Sequence, residues 1–280
     1  MSMTRSGPGV CDARAKEQTG EEKPVSLSVR EAGPVDAPAI LFLHGLGLSH
    51  AMWQPQFERL ADEYHCLAPD LPECGNSAAI GPFRLKDAAG RVASVIRERV
   101  PGGSAHVVGL SLGGAVALQM LRDEPQVVDH LLISGTAREL PAPLDALRRL
   151  DERILHLLSH DRLAEFLLQP YHIMQAYREQ LLADLRTVEP EAIEHFIWEL
   201  TKLRLPRNSG QVAIMIVAGQ KEAFVTQQAA YAMSRAVPFA RGALVPGAGH
   251  FWNLEAPDVF TQTVRAWIED EALPSRLLRV

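Results

Sequence analysis

The sequence predicts an α/β fold, a mostly parallel central sheet flanked by helices, with a helical insertion in the second half of the chain. Three observations carry this expectation. From residue 25 onward, short β-rich runs alternate with stretches of helical periodicity. Most of those runs are almost continuously apolar, as strands are when helices cover both faces. Between residues 138 and 208 the alternation stops: no strand candidate appears for roughly 70 residues, far more than an ordinary connection in an α/β unit needs.

The strand candidates, in order, are Val25 to Val29, Ala39 to Leu43, His65 to Pro69, Ala105 to Val108, Val128 to Ser134, Val212 to Ala218 and Ala240 to Val245. Between them, Val92, Val95, Ile96 and Val100 fall on one helical face, and so do Phe260, Val264, Trp267 and Ile268, with Pro257 at a position that helix starts tolerate. Strand, helix, strand, repeated, implies right-handed crossovers and parallel pairing. In the break, Leu147, Leu150, Ile154, Leu157 and Leu158 trace one amphipathic face, and Ile193, Phe196, Ile197 and Leu200 another. Prolines at 141, 143, 170, 190 and 206 mark its joints. The expected organisation is a tail over 1–24, a core over 25–137 and 209–273, and a helical cap over 138–208.

Composition narrows the function. A chain of 280 residues with 47% hydrophobic and 22% charged content can bury a full core, which excludes disordered and fibrous classes. Its formal charge of −6 offers phosphate backbones and anionic lipids no general attraction, so no nucleic-acid partner is expected. The longest apolar runs fall far short of the ~20 residues that cross a bilayer, so no membrane span is expected. The first 24 residues mix Gly, Ser, Thr, Pro and both charges without the apolar centre of a secretion signal, and are expected to fray. Cys11, Cys66 and Cys74 make neither a disulfide framework nor a zinc-ligand pattern, and a reducing, cytoplasmic setting is expected.

Gly109-Leu110-Ser111-Leu112-Gly113 is the strongest local signal. Five letters alone are weak, but here they follow a buried strand candidate and open a helix-favouring run. Glycines that permit a sharp turn would then hold the Ser111 hydroxyl exposed at the sheet end, with the Leu112 N–H aimed where a negative oxygen would form. The plainer reading is a tight turn with a capping serine. A serine needs a base, and His250 lies in a glycine-rich loop directly after the last core strand candidate, at the same sheet edge. His156, His160, His172 and His195 fall in the insertion and His106 starts a strand, while a turn histidine bonded to backbone is the plainer reading of His250.

The base needs an acceptor to fix its tautomer. Glu222 follows the strand candidate ending at Ala218 and precedes His250 by 28 residues. Glu139, Asp145 and Glu255 compete for the role, and a loop glutamate is usually just solvated. His44-Gly45-Leu46-Gly47, after the strand candidate ending at Leu43, supplies a second candidate donor in the Leu46 amide.

Together these residues resemble the α/β-hydrolase superfamily. HGLG, the DLPxxGxS stretch from Asp70 to Ser77, GLSLGG, GQKE and GAGH match it in order and spacing over about Val25 to Leu273. The resemblance implies an α/β-hydrolase fold with a helical cap, Ser111 as nucleophile, His250 as base, the amides of Leu46 and Leu112 as oxyanion hole, and a substrate cleft under the cap. It implies no metal and no organic cofactor. The chain departs from the family in carrying Glu222 where Asp is more usual, and Glu73 and Cys74 where glycine and histidine are more usual.

Serine at the elbow, in place of the aspartate of dehalogenases and epoxide hydrolases, suits acyl chemistry. Cys66 and Cys74 offer no rival nucleophile. His44, Phe251 and Trp198 are the expected pocket residues, with Tyr171 and Tyr177 adding aromatic surface, though Trp252 fits core packing equally well. GLSLGG also resembles the elbow of enol-lactone hydrolases. The expected activity is hydrolysis of an ester or lactone of a small, largely apolar substrate. Hydrolysis of a carbon–carbon bond on the same side chains, and ligand binding without catalysis, stay open.

Overall fold

A computed structural model describes residues 26–137, 159–169, 171, 173–207 and 209–280. The expected tail and the first part of the expected cap, with Glu139, Asp145, His156 and His172, lie outside the described residues. Eight strands form one sheet in the order β1-β3-β2-β4-β5-β6-β7-β8. They are β1 (Val29–Ala32), β2 (Ala39–Leu43), β3 (His65–Pro69), β4 (Ala105–Leu110), β5 (Val128–Ser134), β6 (Ala213–Gly219), β7 (Ala240–Val245) and β8 (Leu278–Arg279). The pairs from β3 through β7 are parallel, while β1 and β8 close the two edges antiparallel.

Burial explains which strands the sequence announces. Every residue of β2 and β3 is buried, so β2 reads as an unbroken apolar run and β3 as one that follows His65. The first strand lies four residues beyond its expected place. It is a half-exposed edge strand with Arg30 and Glu31 at its centre, so apolar content does not mark it; Leu27, inside the expected range, is buried just outside the ladder. The two-residue β8 carries no pattern at all.

The helices of the described residues that matter here are α1 (Gln54–Leu60), α2 (Leu85–Arg99), α3 (Leu112–Asp123), α4 (His160–Leu168), α5 (Gln175–Arg186), α6 (Pro190–Thr201), α7 (Phe224–Ala236), α8 (Trp252–Glu255) and α9 (Pro257–Ile268). The sequence places α4, α5 and α6 between β5 and β6, strands that are neighbours in the sheet. Among the described residues no helix is long and apolar enough to cross a membrane.

The inserted helices rest on the core through named contacts. From α6, Glu199 accepts the N–H of Leu85 at 3.0 Å, capping the first turn of α2, and Phe196 meets Phe83 edge-on at 5.1 Å. His195, also on α6, bonds the Glu73 carboxylate at 2.9 Å. From α5, Asp184 accepts the Ser49 hydroxyl at 2.7 Å.

Candidate active site

Ser111 sits between β4 and α3 with φ 57° and ψ −114°, a left-handed conformation that non-glycine residues seldom adopt. Two glycines make the turn possible. A Cβ at Gly113 would lie 2.2 Å from the Leu43 carbonyl oxygen, and one at Gly109 would lie 2.7 Å from the Gly113 backbone, so only bare backbone lets the first turn of α3 drop against the ends of β2 and β4. The Ser111 N–H donates to the Ser134 carbonyl at 2.8 Å, and the Thr136 hydroxyl donates to the Ser111 carbonyl at 3.0 Å. The elbow is thereby tied to the end of β5. Among the described residues the Ser111 hydroxyl makes no hydrogen bond, and neither do the N–H groups of Leu112 and Leu46.

Glu222 and His250 are brought together. Nδ1 of His250 bonds Oε2 of Glu222 at 2.7 Å, with both side chains almost fully buried. The other oxygen, Oε1, accepts the Gly219 N–H at 2.8 Å, so the last residue of β6 aims the carboxylate. Glu255, a competing acid, turns Oε2 to the Gly249 N–H at 2.8 Å, and its buried Oε1 has no partner among the described residues. Beneath the imidazole is Gly135, at φ 63°, where a Cβ would lie 2.6 Å from Cε1 of His250. Because Leu110 is registered with Ser134, Gly135 follows β5 just where Ser111 follows β4. The serine, the imidazole and the carboxylate therefore line one edge of the sheet, at the ends of β4, β5 and β6.

The loop from His44 to His50 is built from buried polar contacts. The Leu71 N–H donates to Nε2 of His44 at 2.9 Å, and Nδ1 of His44 faces the Gly45 carbonyl at 2.9 Å. An accepting Nε2 and a donating Nδ1 require the neutral ring, and burial holds its pKa below the usual histidine range. His44 is thus no pocket residue: it is fully buried, and backbone groups occupy both nitrogens. Asp70 accepts the N–H and Nδ1 of His50 and the Asn76 N–H. Burial alone would raise its carboxyl, but these bonds hold it below the usual range. Burial raises that of Asp184 beside the same loop.

Trp198 also departs from its expected place. Its ring is 59% exposed, with the Lys202 ammonium 5.3 Å above it, because α6 turns Ile193, Phe196, Ile197 and Leu200 inward and leaves position 198 outside. Phe251 is buried and meets the His250 ring edge-on at 5.0 Å. Trp252 is a core residue whose indole N–H donates to the Ser134 hydroxyl at 2.7 Å. Both Cys66 and Cys74 are buried, and burial pushes the Cys66 thiol up to about 12, far from a working thiolate. Sequence reasoning missed Gly135, whose signal was a glycine directly after a strand, and, although it counted Tyr171 as aromatic surface, it missed the stacking of that ring on His250 at 5.0 Å.

The model of the alpha/beta hydrolase family matches residues 40–263. The chain belongs to the α/β hydrolase family. An AB hydrolase superfamily protein of Gibberella zeae is 28% identical over 244 residues, covering 84% of this chain and 82% of that protein. The carboxylesterase YbfK of Bacillus subtilis is 24% identical over 257 residues, covering 85% and 82%. The solved enol-lactonase of Burkholderia xenovorans LB400 shares 23% identity, covers 87% of this chain and 96% of its own, and has a TM-score of 0.70; that likeness is one of fold. Membership in an α/β hydrolase family with esterase-named relatives supports hydrolase activity as the general chemistry.

Proposed function

We propose that the protein is a serine hydrolase that cleaves an ester or lactone of a small, largely apolar substrate through an acyl-enzyme. The observation that carries this reading is the 2.7 Å bond between Glu222 and His250, made by a ring that rests on Gly135 beside the strained elbow of Ser111. In this mechanism Glu222 fixes the tautomer that leaves Nε2 of His250 free to accept a proton. Ser111 attacks the carbonyl as His250 takes its proton, and the N–H groups of Leu46 and Leu112, without a hydrogen-bond partner among the described residues, stabilise the resulting oxyanion. The imidazolium then protonates the leaving group, and water releases the acyl group by the same steps reversed. In free enzymes the bond from nucleophile to base is commonly long and tightens in the substrate complex, which suits a Ser111 hydroxyl without a partner among the described residues. The helices α4 to α6 act as the cap over this edge.

A panel of p-nitrophenyl esters and lactones of graded chain length tests the reading. Turnover that Ser111→Ala abolishes supports it. Covalent labelling by a fluorophosphonate without turnover of any ester or lactone would instead make the chain a ligand-binding member of the family.

A further inference from the structure

We propose that Tyr171, delivered by the inserted helices, is a positioning residue for His250, whose ring it covers so as to favour the protonated imidazole. The inference rests on the serine-hydrolase reading for its catalytic consequence. The two rings stack at 5.0 Å with 24° between their planes. Phe251 stands edge-on to both, 5.1 Å and 84° from Tyr171, 5.0 Å and 85° from His250. With Glu222 at Nδ1 and Gly135 against Cε1, the imidazole is confined on several sides, and one of those sides belongs to the insertion. Tyr171 is itself pinned, because its N–H donates to the Leu168 carbonyl at the end of α4 at 3.0 Å.

A face-on aromatic ring does two things for a base that must become a cation. Its negative face attracts the charge, and its bulk keeps water off the bond to the carboxylate, which strengthens that bond. The phenol stays neutral while this happens: burial, and then the nearby Glu222 charge, push it up to about 12. Among the described residues, the carboxylate bonded to the imidazole is that of Glu222, from the loop after β6, while that of Glu255 on α8 is held by the N–H of Gly249 next to His250. The groups presented from the ends of β4 and β5, Ser111 and Gly135, carry no charge. Tyr171 is thus the uncharged element that weights the protonation of His250, and it arrives from the part of the chain that covers the cleft.

The test is the titration of the His250 imidazole by NMR, assigned with His250→Gln, in wild type, Tyr171→Phe and Tyr171→Leu. Loss of the aromatic face removes stabilisation of the cation, so the midpoint in Tyr171→Leu falls by roughly half a pH unit, while Tyr171→Phe keeps the wild-type value. With a hydrolysed ester in hand, kcat falls several-fold in the leucine variant and KM changes by less than about twofold. A midpoint in Tyr171→Leu equal to that of wild type overturns the proposal. If that variant does not fold, as judged by thermal unfolding, Tyr171→Met carries the same comparison. A shifted midpoint in a protein whose wild type turns over no ester or lactone defeats the hydrolase reading and leaves the effect of Tyr171 on the imidazole standing.

Discussion

Glu222 divides its two oxygens between His250 and the backbone at the end of the strand it follows: Oε2 faces Nδ1 of the imidazole at 2.7 Å, and Oε1 takes the Gly219 N–H at 2.8 Å. The second contact holds the carboxylate in the orientation that meets the imidazole. In Glu222→Gln the amide oxygen keeps the Gly219 N–H and turns the NH2 group toward Nδ1, forcing the tautomer that cannot accept a proton at Nε2. We expect kcat to fall by roughly 10³–10⁴ with little change in KM. Glu255→Gln retains an acceptor for Gly249 and should leave kcat within a few-fold; the opposite ranking in steady-state assays would move the acid role to Glu255.

Gly135→Ala should damage the site without touching a polar group. The new methyl would lie 2.6 Å from Cε1 of His250 and would sit on a residue at φ 63°. We expect a loss of about 1–2 kcal/mol in stability from the backbone, and at least a tenfold fall in kcat from the displaced ring. Thermal unfolding and ester hydrolysis read the two effects separately, and wild-type kinetics would show that the ring does not need this contact.

The buried neutral His44 predicts an acid-sensitive fold. Its folded pKa is below the unfolded value, so the unfolded chain takes up a proton first as the pH drops. The stabilisation is complete above about pH 6.5 and is lost below it, at up to about 1.4 kcal/mol per pH unit. His106, lowered by burial and by His130, adds in the same direction. Asp184, raised by burial, works against it at lower pH. Urea unfolding between pH 7 and 5 should therefore show a shallower slope in His44→Gln than in wild type, by about one proton; parallel slopes would mean that His44 is protonated in the folded state.

The carboxylate of Glu199 is the buried tie between α6 and the core, since it accepts the Leu85 N–H at 3.0 Å and the Lys202 ammonium at 2.6 Å. Glu199→Ala leaves the first turn of α2 uncapped and should cost about 1–2 kcal/mol. Hydrogen exchange should quicken in α6 and at the start of α2 ahead of the sheet. Uniform quickening across the chain would show that the insertion opens only with the whole molecule.

What the sequence discloses here depends on whether a contact is local. β2, β3, β5 and β7 fall where their apolar runs put them: every residue of β2 and β3 is buried, and so are the last four of β5. β1 and β8 escape because an edge strand buries too little to leave a pattern. The approach of Glu222 to His250 could be anticipated from strand-end placement alone. The stacking of Tyr171 could not, since nothing in residue order fixes how an inserted helix lands on a loop about 80 residues later. His44 misled because a histidine before a glycine turn looks available, and the Leu71 N–H that occupies it lies 27 residues away. Trp198 was expected in the pocket, yet the periodicity of Ile193, Phe196, Ile197 and Leu200, which defines the inward face of α6, already puts position 198 off that face.

The insertion departs after β5 and re-enters at β6, and those two strands pair in unbroken register from His130 with Ala213 to Ser134 with Val217. The sheet is thus joined with or without the intervening helices, so transplanting a homologous segment of different length would spare the framework. Such a graft would not be chemically silent, because one of its own rings lies against His250. An exchange at this junction would replace the ring against His250 together with the helices that carry it.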